Sequence, residues 1–229
     1  MKPTVVLKTE KLLARTAVFL LGIFIMALGV ALSKEAGLGT SPISTVPAVL
    51  SDLLPLSFGA MTLLVNLIFI VLQYVVLRHD FRPEQLLQLP GLLLFSLFID
   101  LWMLLFSGPA PNSYASEWVY CILSAVAVGF GVFLTVKSNL LMMPGDALEA
   151  AVSLRSKQPF ARVKIVLDAS MVIAAAAISL LAFGTLLDVR EGTVFAALAV
   201  GLFVKGFDRL IGGPLSRRLT GEDEMVAGI

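Results

Sequence analysis

Six runs of mostly apolar residues alternate with short polar stretches along the chain, each near the ~20 residues that a helix needs to cross a bilayer core. They extend from about Thr16 to Ser33, Phe58 to Leu77, Leu86 to Phe106, Trp118 to Val136, Val163 to Phe183 and Val194 to Leu210. This predicts an all-α polytopic membrane protein with six transmembrane helices in one membrane domain, residues 16–210. A cytoplasmic N-terminal segment, 1–15, precedes it and a cytoplasmic tail, 211–229, follows. The stretch from Glu35 to Ser57 is too apolar for a plain loop.

Composition agrees with lipid as the main solvent. Of 229 residues, 58% are apolar and 14% charged, against roughly 25% charged in soluble domains, and mean hydropathy is +0.95. One cysteine, Cys121, excludes a disulfide scaffold. With His79 as the only histidine, zinc chemistry has no ligand set. A net charge of +1 argues against nucleic-acid binding. No GxxxxGK[ST] loop is present, so a nucleotide-driven pump within this chain is excluded. No cofactor is expected.

The lysines and arginines orient the spans. With the N-terminus in the cytoplasm, inside segments hold 14 basic residues, and outside segments hold only Lys34 and Arg190. Both termini are therefore expected in the cytoplasm. The first apolar run is longer than the ~7–15 residues of a signal-peptide core, which favours a retained helix.

Sliding the sequence by 102 positions lays GVALSKEAGLGTSPISTVPAVLS, from Gly29, over GVFLTVKSNLLMMPGDALEAAVS, from Gly131. Pro42 meets Pro144, Phe58 meets Phe160, and Asn66 meets Asp168. Two repeats, about 16–107 and 118–210, would each hold three spans. An odd number makes them cross the membrane in opposite senses, an arrangement recurrent in secondary transporters.

Both copies contain a proline segment. Thr40 and Ser41 suit a helix N-cap, and Pro42 suits the first turn, where its missing N–H costs nothing. A helix from Pro42 to Asp52 would be about 16 Å long, roughly half a bilayer core. The second copy repeats the plan with Pro144, Gly145 and Asp146. Re-entrant half-helices whose N-termini meet near the midplane are thus allowed, and such ends favour hydrogen-bond acceptors or anions. Asp146 and Glu149 would offset that positive end. Amphipathic helices lying at each interface are the alternative.

Ionisable residues at membrane depth are default site candidates. Asp168 lies four residues past Lys164, where an i,i+4 pair would partly neutralise it. Left protonatable, it could couple transport to a proton. Asp100, in FSLFIDLW, is too short to snorkel well, whereas Lys205 can. Gly129, Gly131, Gly192 and Gly201 suit close helix approach. Met142 and Met143 read as flexible filler, and Trp102 and Trp118 as an interfacial aromatic belt.

The chain resembles the YczE/YyaS/YitT family of bacterial integral membrane proteins. The resemblance rests on LGVALSKEAGLGTSPIS, FGAMTLLVNLIF and FIDLW, in that order, and more loosely on GTVFAALAVGLFVKGFD. Ser96 and Lys205 depart from the pattern. The resemblance implies a multi-spanning inner-membrane protein and carries over no substrate or catalytic residue.

The expected function is a secondary transporter or exporter of a small solute, with Thr40, Ser41, Pro42, Asn66, Asp100, Pro144, Gly145, Asp146 and Asp168 along the path. A non-transporting scaffold or accessory subunit is the alternative. An intramembrane aspartyl enzyme using Asp100 and Asp168 is disfavoured, because the two fall near opposite faces; no enzymatic activity is expected. The expected partners are the bilayer, the solute and, as an open option, a second copy of the chain.

Overall fold

A computed structural model describes residues 12–106 and 111–219, and among them every regular element is helical. The chain runs through α1 (Leu12–Glu35), α2 (Pro42–Leu53), α3 (Phe58–Leu77), α4 (Gln88–Leu105), α5 (Tyr114–Ser138), α6 (Pro144–Ser156), α7 (Phe160–Phe183), α8 (Glu191–Phe207) and α9 (Gly213–Leu219). Short 3-10 turns at Arg78–Asp80 and Pro83–Leu87 lead from α3 into α4. A π-helical turn, Asp208–Gly212, joins α8 to α9. Most of the N-terminal segment and the end of the expected tail, including GEDEMVAGI, lie outside the described residues.

Five helical stretches are long and apolar enough to cross a membrane: Leu12–Glu35, Phe58–Asp80, Pro83–Leu105, Tyr114–Ser138 and Phe160–Phe183. The sixth expected span coincides with α8. Its 17 residues give about 26 Å at 1.5 Å per residue, short of the ~30 Å hydrocarbon core. The expected first span also starts too late. Arg15, expected in the leader, lies inside α1 and is 3% exposed. Its Nε donates to the Ser138 carbonyl at 2.7 Å, and its Nη2 donates to the Asn139 carbonyl. Asn139 ends α5 in the left-handed conformation, so the guanidinium satisfies carbonyls that a helix end leaves orphaned.

The centre of the molecule is the crossing of α1 with α5. Gly29 lies so close to α5 that an added Cβ would stand 2.6 Å from the Val128 nitrogen and 2.8 Å from the Ser124 oxygen. Gly131 lies equally close to α1, where a Cβ would stand 2.6 Å from the Met26 nitrogen and 2.7 Å from the Gly22 oxygen. Without side chains at these points, the two backbones pack directly, as small residues permit in lipid-embedded helices. Around this pair, α4 packs on α1 and α8 on α5, while α2 packs on α7 and α6 on α3.

Other expectations about packing divide. Gly129 is pressed against Phe203 and Val200, and Gly192 against Leu38, whereas nothing stands within 4 Å of a Cβ at Gly201. Trp102 turns inward: its Nε1 donates to the Phe24 carbonyl at 3.2 Å, and its ring lies 5.0 Å from that of Phe24. Trp118 packs edge-on to Phe195.

Gly131→Ala forces a methyl into the α1 backbone and is expected to cost about 1–3 kcal/mol, the usual range for overpacking. Gly201→Ala, which meets open space inside α8, should leave stability unchanged or raise it slightly. Thermal unfolding of the two purified variants in one detergent checks this; equal midpoints would show that α1 and α5 are not in direct backbone contact.

Candidate functional site

The two short helices, α2 and α6, meet end to end. Both start on proline, and neither N-cap residue, Ser41 or Met143, accepts a first-turn backbone N–H through its side chain. Pro42, Ser44 and Thr45 of one, and Pro144 and Gly145 of the other, are buried. A Cβ at Gly145 would overlap Ile43 Cδ1, so the second helix begins against the first. Pro144 is also tied to α3, since its carbonyl accepts from Gln73 Nε2 at 2.9 Å. Gln73 lies about 22 Å along α3 from Phe58 at 1.5 Å per residue. The other end of α2 is fixed near Lys34, whose Nζ donates to the Ala48 carbonyl at 3.1 Å and meets Asp52 at 2.7 Å. After α1 the chain therefore leaves the Lys34 end to reach Pro42 and returns to that end along α2.

An apolar cluster holds these helices between α3 and α7. It contains Ile43, Val46 and Leu50 from α2, Val65 and Phe69 from α3, Leu148 and Val152 from α6, and Leu167 and Met171 from α7. Val46, Leu50, Val65 and Phe69 each have their counterpart 102 positions later within the same cluster. The counterpart of Ile43 is Gly145, the residue it touches.

The polar groups beside this cluster keep the same offset. On α3, Asn66 Nδ2 donates to the Thr62 carbonyl at 2.8 Å. On α7, Lys164 pairs with Asp168 at 3.2 Å, which is the expected i,i+4 contact. Lys164 also holds Glu149 of α6 at 3.1 and 3.3 Å, and Asp146 lies within its electrostatic reach. Two carboxylates thus pair with one ammonium group, and a third lies near it. The Glu149 side chain is 3% exposed, against 41% for Lys164. Glu149 was read from the sequence only as an offset to the helix dipole. The signal for a larger role was its place one turn after Asp146, on a face the cluster buries.

Thr40 is fully buried; its N–H donates to the Asp188 carbonyl at 3.1 Å, and its hydroxyl has no partner among the described residues. Ser41 Oγ donates to Ser44 Oγ at 3.0 Å. Asp100 stands apart from these residues. It accepts from Ser57 Oγ at 2.6 Å and from the Gly59 N–H at 2.8 Å, so it binds α4 to the N-terminus of α3. Among the described residues, no three His, Cys, Asp or Glu side chains are grouped to hold a metal ion.

A family profile described as "Family of unknown function (DUF6198)" matches residues 13–209. The chain is 27% identical over 139 residues to the uncharacterised protein YyaS of Bacillus subtilis (strain 168), covering 60% of this chain and 68% of the relative. No solved structure matches.

Removing Lys164 leaves Glu149 buried without its cation. Lys164→Met is expected to destabilise by about 3 kcal/mol, the low end for breaking a buried pair, because this lysine is partly exposed. Lys164→Met combined with Glu149→Leu should recover most of the loss. Unfolding midpoints of the single and double variants measure it; a double variant no better than the single would show that Glu149 does not depend on Lys164.

Proposed function

We propose that this chain, which belongs to the DUF6198 family of unknown function, is a secondary transporter of a small solute in a bacterial inner membrane. Its two halves, α1–α4 and α5–α8, are inverted repeats with α8 as the sixth span, and α2 and α6 are re-entrant half-helices. The observation that carries this reading is the constant offset of 102 between residues that meet in space. A cluster built from corresponding residues of both halves is what a pseudo-two-fold axis through it would produce. The α1–α5 crossing supports the same axis. Gly29 faces Val128 and Ser124, and Gly131 faces Met26 and Gly22, their counterparts 102 residues back. Such reciprocity is the mark of a two-fold contact.

On this reading the Arg15 end faces the cytoplasm and the Lys34 end faces outside, by the distribution of basic residues. The solute site lies where the N-termini of α2 and α6 meet, at the repeat interface. The N–H groups that a helix start leaves without an intrahelical partner provide donors there. Glu149 and Asp168, held by Lys164, provide carboxylates on the cytoplasmic side that can exchange a proton as the site changes exposure. The chain performs no covalent chemistry on the solute.

The test is a thermal-shift screen of the detergent-purified protein against a broad solute library, repeated with Asp168→Asn and Glu149→Gln. A solute at about 100 times its dissociation constant should stabilise the fold by roughly 2.7 kcal/mol. The expected result is a hit that is weakened in at least one variant that still folds. That solute should then enter proteoliposomes carrying the wild-type chain. A stabilising solute that is never accumulated, or no hit at millimolar concentrations, would overturn the transporter reading.

A further inference from the structure

The Lys34 end is closed by one seam between the two halves. From the first half come Lys34 at the end of α1, the turn through Gly37 to Thr40, and Asp52 near the end of α2. From the second half comes the connection between α7 and α8. Lys34 Nζ meets Asp188 at 2.7 Å and Asp52 at 2.7 Å. Thr40 N–H donates to the Asp188 carbonyl at 3.1 Å, and Gly192 N–H to the Leu38 carbonyl at 2.8 Å. Arg190 Nη1 donates to the Gly37 carbonyl at 2.8 Å. A side chain at Gly39 would strike Thr193, so the two strands of the seam are in close contact.

The charge at this seam does not balance. The ammonium of Lys34 has three N–H donors, and all three are taken, by Asp52, Asp188 and the Ala48 carbonyl. Two carboxylates therefore share one cation, and both Oδ2 atoms bind the same nitrogen. The Asp188 side chain is 9% exposed and that of Lys34 14%. Excess negative charge in such a place is relieved most simply by a proton. We propose that Asp52 and Asp188 form a proton-binding site, reached from the Lys34 end, whose occupation locks that end of the transporter shut. The proposal rests on the transporter reading only for its purpose; the lock itself is a property of the seam.

The other charged groups at this end do not supply the missing positive charge. Arg190, in the same connection, is engaged with the Gly37 carbonyl and with Glu191 at 3.0 Å. Glu35 adds a further carboxylate beside Lys34. From α3, Phe58 presents its ring, 5.8 Å from Lys34 Nζ. On α4, Asp100 is committed to the N-terminus of α3. Burial, with a hydrogen bond to Asp52, raises the Asp188 carboxyl to about 6 against the pull of Lys34.

The sign follows from linkage. When the seam opens, Asp188 meets water and returns towards an ordinary aspartate, near 3.8. The closed seam holds the proton more tightly, so falling pH favours closure. The gain is complete below the ordinary aspartate value and is lost as pH rises through about 6. Closing takes a proton from the external water, and opening returns it.

Electron–electron distance measurements test this. Spin labels are placed at Leu54→Cys and Leu186→Cys, both exposed residues flanking the seam, in a Cys121→Ser background reconstituted in lipid nanodiscs. A single short distance is expected near about pH 4.5. A longer one should grow by about pH 7.5, the ratio of long to short rising at least about tenfold. Asp188→Asn, which cannot ionise, should hold the short distance at both pH values, and Asp52→Asn should weaken the response. Asp168→Asn should leave it intact. A wild-type distance that ignores pH, or an undiminished response in both Asp188→Asn and Asp52→Asn, would overturn the lock. A pH response in a protein that binds no solute would leave the lock standing and remove only the transporter reading.

Discussion

Gly29 and Gly131 let two apolar helices touch backbone to backbone, and the remaining helices are placed by that contact. In water, burying apolar surface would drive such packing. In lipid the surroundings are as apolar as leucine, so close van der Waals fit has to do the work. A methyl group at either glycine would separate α1 from α5, and with them α4 and α8, which lean on their outer sides. The reciprocity of the crossing also sets its geometry. Each glycine faces the counterpart of what the other faces, so the same local fit is used twice.

A second constraint is that polar groups within lipid need partners inside the protein. The described structure meets it with long-range ties between helices. Arg15 closes the C-terminus of α5, Gln73 joins α3 to Pro144 and to Gln88, and Asp100 caps α3 from α4. Lys164 and Lys34 each serve two carboxylates. The two lysine-centred clusters differ from the other ties in that carboxylates outnumber cations.

How much of this was legible in the sequence depends on the range of the interaction involved. Apolar runs show the spans because span length is a local property, and their ends differ from the helix ends by a few residues, at Arg15 because a polar residue found an internal partner. Arg15 belongs to α1 for that reason, although a basic residue before an apolar run reads as leader. The starts of the short helices α2 and α6 were legible from proline, which acts on its own backbone. The roles of Glu149 and Asp188 were not, since each depends on a lysine from another element. Asp100 stands out in the sequence as a costly residue, but its partners, Ser57 and Gly59, lie across a helix interface that no spacing rule reaches.

The halves also differ, and the difference matters to the inverted-repeat reading. In the first half α4 packs along α3 and is bonded to it at both ends, through Gln88 and through Asp100. In the second half α7 and α8 barely touch. Only 11% of the most apolar stretch of α7 is buried, against 50% for α1 and α5. Two identical repeats would give a symmetric molecule with no preferred side. Alternating access needs each half to adopt in turn the arrangement now held by the other, so an asymmetric pair is the expected resting form. The seam at Asp188 is then well placed to choose between the two arrangements. It joins the connection between the loosely packed helices, α7 and α8, to the ends of α1 and α2. On the proposed reading, a proton there changes the balance of one seam, and the close-packed α1–α5 crossing is where that change would be passed to the opposite face.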